Sequence, residues 1–306
     1  MCAMTIYNAS KLVEAITTES FVIASEGRRP SLRSIALRSG LSVRNAYKLL
    51  ERARRMGFSF SVSTHIGLIG YSFLLSESIE RGYISLESYE TIDGRLLVLA
   101  MAPTKTERRP HTSQSFPLLI TSRPSVEAFM LLRFHTERRT PEEEVVDALR
   151  NIVRNLMNES LPGFKGRSYP LGEQVTLLIA SLISGGALSF SPKLSRELGI
   201  EPAKARRLLR ALWRRRVLLG YGVWRAPYTR GKGVIVRVEH DNPYELAYAL
   251  SVLPPVLRIL ASTGALVAII DAEEEVASVV IKALKSLGAS VSVEHCYYKV
   301  SHESRY

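Results

Sequence analysis

Two stretches of the chain share one pattern of apolar and polar positions, at an offset of 159 residues. Within 31–58 and 190–217 the apolar residues coincide, and each stretch has a glycine at the same point, Gly40 and Gly199. The matched apolar pairs are Ile35 and Leu194, Leu41 and Ile200, Ala46 and Ala205, Leu49 and Leu208, and Leu50 and Leu209. A short helix, a turn at glycine and a longer amphipathic helix form a helix-turn-helix. The pattern therefore predicts this unit twice.

The first half is predicted to continue from helices into strands. We expect helices over 9–25, 32–39 and 43–56, the last of them capped by Ser42 and ended by Gly57. Alternation of apolar residues with serine over 58–64 predicts a strand, which would form the wing of a winged helix. Further strands are expected over 66–75, 83–89, 95–101, 116–121 and 126–135. Pro141 and three glutamates begin an amphipathic helix over 141–157.

The second half repeats this plan with a more regular order of elements. Helices are predicted over 173–184, 192–198 and 202–217, with a wing over 218–228. After a turn at Gly231-Lys232-Gly233 the pattern predicts strands over 234–239, 256–262, 266–271 and 290–297. Helices over 243–253 and 273–287 connect them. This order, βαββαβ, is that of a ferredoxin-like module.

These elements predict an α+β fold. It would contain two winged helix-turn-helix domains, each followed by a ferredoxin-like module, of which the first is irregular. A segment with glycines, prolines and polar residues separates the two halves. The expected boundaries are 1–65 for the first winged helix, 66–160 for the irregular module, 161–171 for the linker, 172–232 for the second winged helix and 233–306 for the second module.

Positive charge is concentrated on the two predicted helix-turn-helix units. The whole chain has a formal net charge of +12, and 46% of its residues are hydrophobic, which excludes a disordered protein. Residues 28–55 contain nine arginines and lysines against one acid, and residues 193–232 contain twelve against two. Residues 239–306 contain five against nine. Segregation of this kind indicates a polyanionic partner for the two units.

Composition argues against several other classes of function. The two cysteines and six histidines show no metal-ligand spacing, and no Walker, GxSxG or GxGxxG motif is present. We therefore expect no catalytic residues, no metal, no cofactor and no enzymatic activity. The apolar runs are too short to span a bilayer and no signal peptide is visible, so we expect a cytoplasmic protein without a membrane partner. The scarcity of glutamine is compatible with a thermophile.

Three short motifs in the second half extend the likeness of the two units to a known family. Leu218-Leu219-Gly220-Tyr221 is similar to the glycine-tyrosine entry into the wing in the leucine-responsive regulator (Lrp/AsnC) family. Leu253-Pro254-Pro255-Val256 is similar to its Leu-Pro-x-Val segment between the first module helix and the second strand. Ser262-Thr263-Gly264 is similar to its Thr-Gly turn before the third strand. The chain resembles this family over most of 172–295, and less closely over 9–157.

The resemblance implies a transcriptional regulator. Its ferredoxin-like modules would pair through their sheets, and they can bind a small effector, often an amino acid, near the pairing surface. Two copies in one chain depart from the usual member of the family. We therefore expect either a monomer that imitates a dimer or a homodimer.

The candidate DNA-binding residues lie on the outer faces of the two longer helices, because the apolar residues at helical spacing face the core. Arg44 and Asn45 are expected to contact bases, since arginine reads guanine and asparagine reads adenine. The other basic residues are expected to contact phosphates of double-stranded DNA. The candidates are Arg44, Asn45, Lys48, Arg52, Lys204, Arg206, Arg207, Arg210, Arg214, Arg225, Arg230 and Lys232, the last three beside the second wing.

Two alternatives remain open. The siroheme decarboxylases resemble the same pair of domains, with a tetrapyrrole held between modules, and His295-Cys296-Tyr297 is similar to a His-Cys-Tyr stretch in those enzymes. The other alternative is a ligand sensor or scaffold in which the first unit has become a partner-binding domain. The dense basic residues of both predicted recognition helices favour DNA binding over these two interpretations.

Overall fold

A computed structural model describes residues 3–77, 82–104, 114–158, 173–186, 199–225, 232–296 and 299–301. The helices in these ranges are α1 (Ala3–Ser25), α2 (Leu32–Arg38), α3 (Val43–Arg55), α4 (Val126–Thr136), α5 (Glu142–Met157), α6 (Glu173–Ser181), α7 (Pro202–Arg214), α8 (Pro243–Leu250) and α9 (Glu274–Ser286). The strands are β1 (Ser59–His65), β2 (Tyr71–Ser76), β3 (Ile84–Glu90), β4 (Leu96–Pro103), β5 (Ser115–Phe116), β6 (Leu118–Thr121), β7 (Leu218–Arg225), β8 (Gly233–Glu239), β9 (Val256–Ser262), β10 (Ala265–Asp271), β11 (Ser290–Cys296) and β12 (Lys299–Ser301). The fold is α+β with antiparallel sheets, as the sequence predicts. Across the described ranges, every helix is too short or too polar to cross a bilayer.

The second half contains the predicted βαββαβ order of elements. Its strands lie in the order β11-β8-β10-β9, and all neighbouring pairs are antiparallel. Along β8 and β10, Val236 and Ala268 pack in the core that includes α8 and α9, whereas Ile235 and Ile269 pack in the core on the opposite face. Both faces of this sheet are therefore covered, which explains why its strands are apolar at nearly every position.

The first half does not repeat the βαββαβ order. Strands β2 to β5 join β12 in a separate five-stranded antiparallel sheet, in the order β12-β3-β4-β2-β5. The prediction of a strand over 126–135 is wrong, because these residues form α4. Its buried residues are Val126, Ala128, Leu132 and His135, of which the last three recur at helical spacing. The surrounding run of apolar residues hides this period in the sequence. The predicted strand over 66–75 begins instead with a 3₁₀ turn, Ile66–Ile69, before β2.

A seven-stranded sheet joins the two halves. Beyond β9 it continues through β6 and β1 to β7, so that the two predicted wing strands lie side by side. Strands β1 and β7 are antiparallel, with Ser61 opposite Gly222 and Ser63 opposite Gly220. Both glycines allow a close approach: a Cβ on Gly222 would lie 2.6 Å from Cβ of Thr121, and one on Gly220 would collide with the ring of Phe21 in α1. The second wing is thus packed tightly against the first half.

The two sheets pack face to face around a buried ion pair. Arg258 of β9 and Glu87 of β3 are 1% and 6% exposed, and their Nη2 and Oε1 atoms are 2.5 Å apart. Nη1 of Arg258 also donates to Ser61 Oγ at 2.9 Å and to Thr121 Oγ1 at 3.0 Å, while Nη2 donates to the backbone oxygen of Ile183 at 3.1 Å. The guanidinium therefore connects both sheets and the π-helical segment Leu182–Gly186 that follows α6. Such a buried charge is tolerated only when it is paired and hydrogen-bonded.

Local capping forms the helices of the first helix-turn-helix unit, and the core of this unit is shared with α7. Ser31 caps α2 with Ser34 in a capping box, and Ser42 accepts a hydrogen bond from the backbone N–H of Asn45 at the start of α3. The turns before α3 and α7 each place a glycine, Gly40 and Gly199, at positive φ. Buried residues of both units belong to one hydrophobic cluster. The predicted helix over 192–198 lies outside the described residues.

Candidate nucleic-acid interface

Helix α3 buries one face and exposes the other. Ala46, Leu50 and Ala53 are buried against α1 and α2, and they recur at helical spacing. The candidates Arg44, Asn45, Lys48 and Arg52 are all exposed. Since the apolar stripe fixes the rotation of the helix about its axis, the basic residues are directed toward solvent. The faces predicted from the sequence are the faces that the structure has.

Helix α7 has the same arrangement. Its buried residues are Ala205, Leu209, Leu212 and Trp213, and the Trp213 ring packs edge-on against the ring of Tyr221 in β7, with centroids 5.6 Å apart. The candidates Lys204, Arg206, Arg207, Arg210 and Arg214 are exposed. This packing places five exposed cations on a helix whose buried face lies against β7 of the seven-stranded sheet.

Some of the exposed cations already have partners within the protein. Nζ of Lys204 donates to Gln174 Oε1 at 3.0 Å, and Nε of Arg210 donates to the backbone oxygen of Arg206 at 3.4 Å. Both contacts lie at the surface, where water competes with them and weakens them. An incoming phosphate can therefore replace these partners at little energetic cost.

Among the described residues, the structure does not place the three wing candidates next to the basic faces of α3 and α7. Arg225 is the last residue of β7, and its side chain lies outside what the structure describes. Arg230 lies outside the described residues altogether. Lys232, directly before β8, is exposed and forms an ion pair with Glu273, with Nζ and Oε1 3.8 Å apart. Part of its charge is thus already compensated beside α9.

A groove on one flank of α3 contains residues that are not among those predicted from the sequence. Its volume is about 790 Å³, and it lies between α3, the loop that precedes α2, and Tyr221 of β7. Arg29, Tyr47 and Arg54 line it together with the candidates Arg44 and Lys48. One signal was available in the sequence: Tyr47 is an aromatic residue on the polar side of an amphipathic helix. The contribution of Tyr221, far away in the chain, could not be foreseen from the local pattern.

Tyr221 connects the two helix-turn-helix units. Its backbone N–H donates to Ser20 Oγ in α1 at 2.7 Å, and its hydroxyl donates to the backbone oxygen of Pro30 at 2.9 Å. Burial raises the pKa of the Tyr221 phenol to about 12, although Arg29 acts in the opposite direction. The hydroxyl is therefore neutral at physiological pH and serves as a hydrogen-bond donor that holds the loop before α2.

A second cavity, of about 430 Å³, lies between α4 and the ferredoxin-like module. Its walls include Phe129, Leu132 and Arg133 of α4, Pro254 and Val276. Across the residues that the structure describes, three or more histidines, cysteines or acids never converge in a way that could hold a metal ion.

Comparison with known proteins gives two structural matches and no match by sequence. No family model matches the chain, and no curated protein matches it. One matched structure is titled the crystal structure of the siroheme decarboxylase NirDL, at 11% identity and a TM-score of 0.39, over 88% of this chain and 84% of that one. The other is the same enzyme in co-complex with an iron-uroporphyrin III analogue, at 13% identity and a TM-score of 0.38, with the same coverage.

These matches bear on one expectation only. Both are structures of an enzyme, so they contradict the expectation that the chain has no enzymatic activity, and we withdraw it. At this level of similarity they do not assign a substrate or an active site to the chain. The regulator family suggested by the sequence motifs is likewise matched by no family model.

Proposed function

We propose that the chain binds duplex DNA through the exposed faces of α3 and α7. The observation that carries this proposal is the repeated arrangement of the two helices. Each buries its apolar stripe in the core and exposes its arginines and lysines to solvent. Helix α3 follows α2 and the turn at Gly40, as a recognition helix does, and the sequence pattern predicts the same position for α7. Two such surfaces in one chain would act as the two halves of a dimeric DNA-binding protein.

The chemistry of the two faces suits different parts of the duplex. Arg44 and Asn45 lie in the first turn of α3, where a recognition helix meets base edges, and both side chains can form bidentate contacts to bases. On α7, Lys204, Arg207 and Arg210 provide charges for phosphates, which supply most of the affinity but no sequence information. On this proposal α3 provides more of the sequence specificity and α7 more of the affinity.

Fluorescence anisotropy with a labelled duplex tests the proposal. The variant carries Lys204→Ala, Arg207→Ala and Arg210→Ala, all exposed, so that folding is retained. The matched control carries Arg139→Ala, Arg154→Ala and Lys285→Ala, which remove the same charge from other exposed positions. We expect the first variant to lose at least about tenfold in affinity and the control to lose less than about twofold. Equal losses in both variants would refute the assignment of α7 to the DNA.

The second candidate function is binding and decarboxylation of a siroheme-like tetrapyrrole. The feature of this chain that would suit such a ligand is the groove beside α3, where basic side chains could pair with carboxylates and Tyr47 offers a ring surface. Titration of the purified chain with siroheme, followed by absorption spectroscopy, tests it. A saturable spectral change that is lost in Arg44→Ala would establish tetrapyrrole binding in the groove, and mass analysis of the recovered tetrapyrrole would then show whether a carboxyl group is lost. An unchanged spectrum would dismiss this function.

A further inference from the structure

The groove beside α3 has the dimensions of a ligand site and is too small for a duplex. A volume of about 790 Å³ is typical of pockets that enclose a small molecule or a few linked groups. Tyr47 and Arg54 project from the flank of α3, and the loop with Arg29 faces them. The duplex proposed above would lie on the outer face of the same helix, where Arg44 and Lys48 border both surfaces.

The charge in the groove is positive and largely uncompensated. Among the residues that the structure describes, no carboxylate lies within salt-bridge distance of Arg44, Lys48 or Arg54. The one acid in the lining, Glu51, forms an ion pair with Arg55, with Oε1 and Nη2 3.3 Å apart. Because Glu51 pairs with Arg55, one helical turn further along α3, it does not neutralise Arg44, Lys48 or Arg54. These three cations are therefore available to an anionic ligand.

An exposed aromatic ring lies among these cations. Tyr47 is 59% exposed, although tyrosines in folded proteins usually bury most of their ring, and it stands between Arg44 and Lys48 in the sequence. Leu50 and Tyr221, both of which are buried, also line the groove. A solvent-facing ring surrounded by arginines and lysines is the combination used to bind single-stranded nucleic acid, where bases stack and phosphates are neutralised.

We propose that this groove binds one nucleic-acid strand, with a base stacked on Tyr47 and the adjacent phosphates held by Arg29 and Arg54. This inference rests on the proposed function and deepens it. A single strand at the end of a duplex, or a nucleotide displaced from it, would enter the groove while α3 stays on the paired region. The contact is independent of sequence, because every base offers a face for stacking.

The test uses the full-length chain and a fluorescein-labelled ten-nucleotide thymidine strand, measured by anisotropy at low salt. Tyr47→Ala should lower the affinity by about tenfold, the loss of roughly one stacked base. Tyr47→Phe keeps the ring and should bind within about twofold of the parent chain. Leu37→Ala, which removes a 66% exposed apolar side chain from α2 of the same unit, is the matched control and should have no effect.

The outcomes separate this inference from the proposed function. Loss of strand binding in Tyr47→Ala, with retention in Tyr47→Phe, supports the groove as the site. Unchanged strand binding in Tyr47→Ala overturns the inference, and duplex binding that still depends on α7 then leaves the proposed function standing. The inference is also overturned if siroheme displaces the strand and Tyr47→Ala weakens the binding of siroheme but not of the strand. That result would favour a tetrapyrrole ligand in the groove. Absence of binding to both strand and duplex refutes both proposals.

Discussion

Val62 lies directly opposite Tyr221 in the antiparallel pair β1–β7, and Tyr221 follows Val62 by 159 positions. This is the offset that superimposes the two helix-turn-helix units in the sequence. It also carries α3, Val43–Arg55, onto α7, Pro202–Arg214, residue for residue. The two equivalent wing strands therefore meet at equivalent residues, as they would across a twofold axis in a dimer. One chain thus has an internal approximate twofold relation between its two units.

A pseudo-twofold relation predicts an inverted repeat in the DNA that the chain selects. Selection of binding sites from a random duplex pool should give two half-sites in opposite orientation, because dimers of helix-turn-helix units impose their symmetry on the operator. The half-sites should differ in sequence, since α3 and α7 carry different outward residues. Arg44→Ala with Asn45→Ala should relax specificity in one half-site only. Direct repeats or a single undivided site would contradict the twofold arrangement.

The Arg258–Glu87 pair should be essential for folding. Glu87→Gln removes the carboxylate and leaves the guanidinium buried without a counter-charge, so we expect a loss of about 3–5 kcal/mol in the free energy of unfolding. Urea denaturation measures it. The double variant Arg258→Met with Glu87→Leu removes both charges and should lose less than Glu87→Gln alone. A loss below about 1 kcal/mol for Glu87→Gln would show that the pair does not hold the two sheets together.

The ends of α3 and α7 give a matched pair of backbone predictions. Gly57 follows α3 at a φ of 97°, and the equivalent residue after α7 is Arg216, at a φ of 56°. Gly57→Ala should cost about 1–2 kcal/mol of stability from backbone strain alone, because a Cβ there meets no atom within 4 Å. Thermal denaturation checks this.

Arg216→Gly is the reciprocal test. It should change stability by less than about 1 kcal/mol, because relief of the strained backbone is offset by loss of the hydrogen bond that Nη2 of Arg216 donates to the Ser25 carbonyl. Thermal denaturation measures both variants, and unchanged stability in Gly57→Ala would mean that the left-handed conformation is not required at residue 57.

Tyr221 predicts a loss of stability at high pH. Its pKa is raised to about 12 in the folded protein, so the unfolded state releases this proton first, near pH 10. The contribution of the neutral Tyr221 phenol to the free energy of unfolding is fully present below pH 10. It declines as the pH rises toward 12, by at most about 1.4 kcal/mol per pH unit.

Tyr221→Phe isolates this effect. At pH 7 the variant should be less stable by about 1 kcal/mol, because the hydrogen bond to the Pro30 carbonyl is lost. The difference from the parent chain should shrink between pH 10 and 11, where only the parent chain has this phenol to titrate. Urea unfolding at three pH values measures the difference, and a constant difference would contradict the burial of the hydroxyl.

Much of the second half could be predicted from its sequence. Hydrophobic periodicity gave α7, α8 and α9 and the strands between them, because each element has its own regular pattern. The burial of Arg258 could not be predicted, since an arginine in an apolar strand is ordinarily placed at the surface. Its partner Glu87 is far away in the chain, on a strand of the other sheet. Only tertiary pairing shows why the charge is tolerated.

The first half was less predictable because its sheet depends on contacts that are distant in sequence. Strand β12, near the end of the chain, pairs with β3, and β1 pairs with β7 of the other half. Local alternation predicts that such strands exist but does not determine their partners. The groove beside α3 has the same origin: Tyr47 and Arg54 are local, but Arg29 and Tyr221 join them only in the fold.

The salt dependence of duplex affinity tests the central claim most directly. If α3 and α7 neutralise phosphates, the logarithm of affinity should fall linearly with the logarithm of salt concentration, with a slope of about −0.9 for each phosphate contacted. For the parent chain we expect a slope of about −4 or steeper. For the variant with Lys204→Ala, Arg207→Ala and Arg210→Ala we expect a slope that is less steep by about 2–3, since three phosphate contacts are lost. A slope near zero, or one that this variant leaves unchanged, would contradict the account.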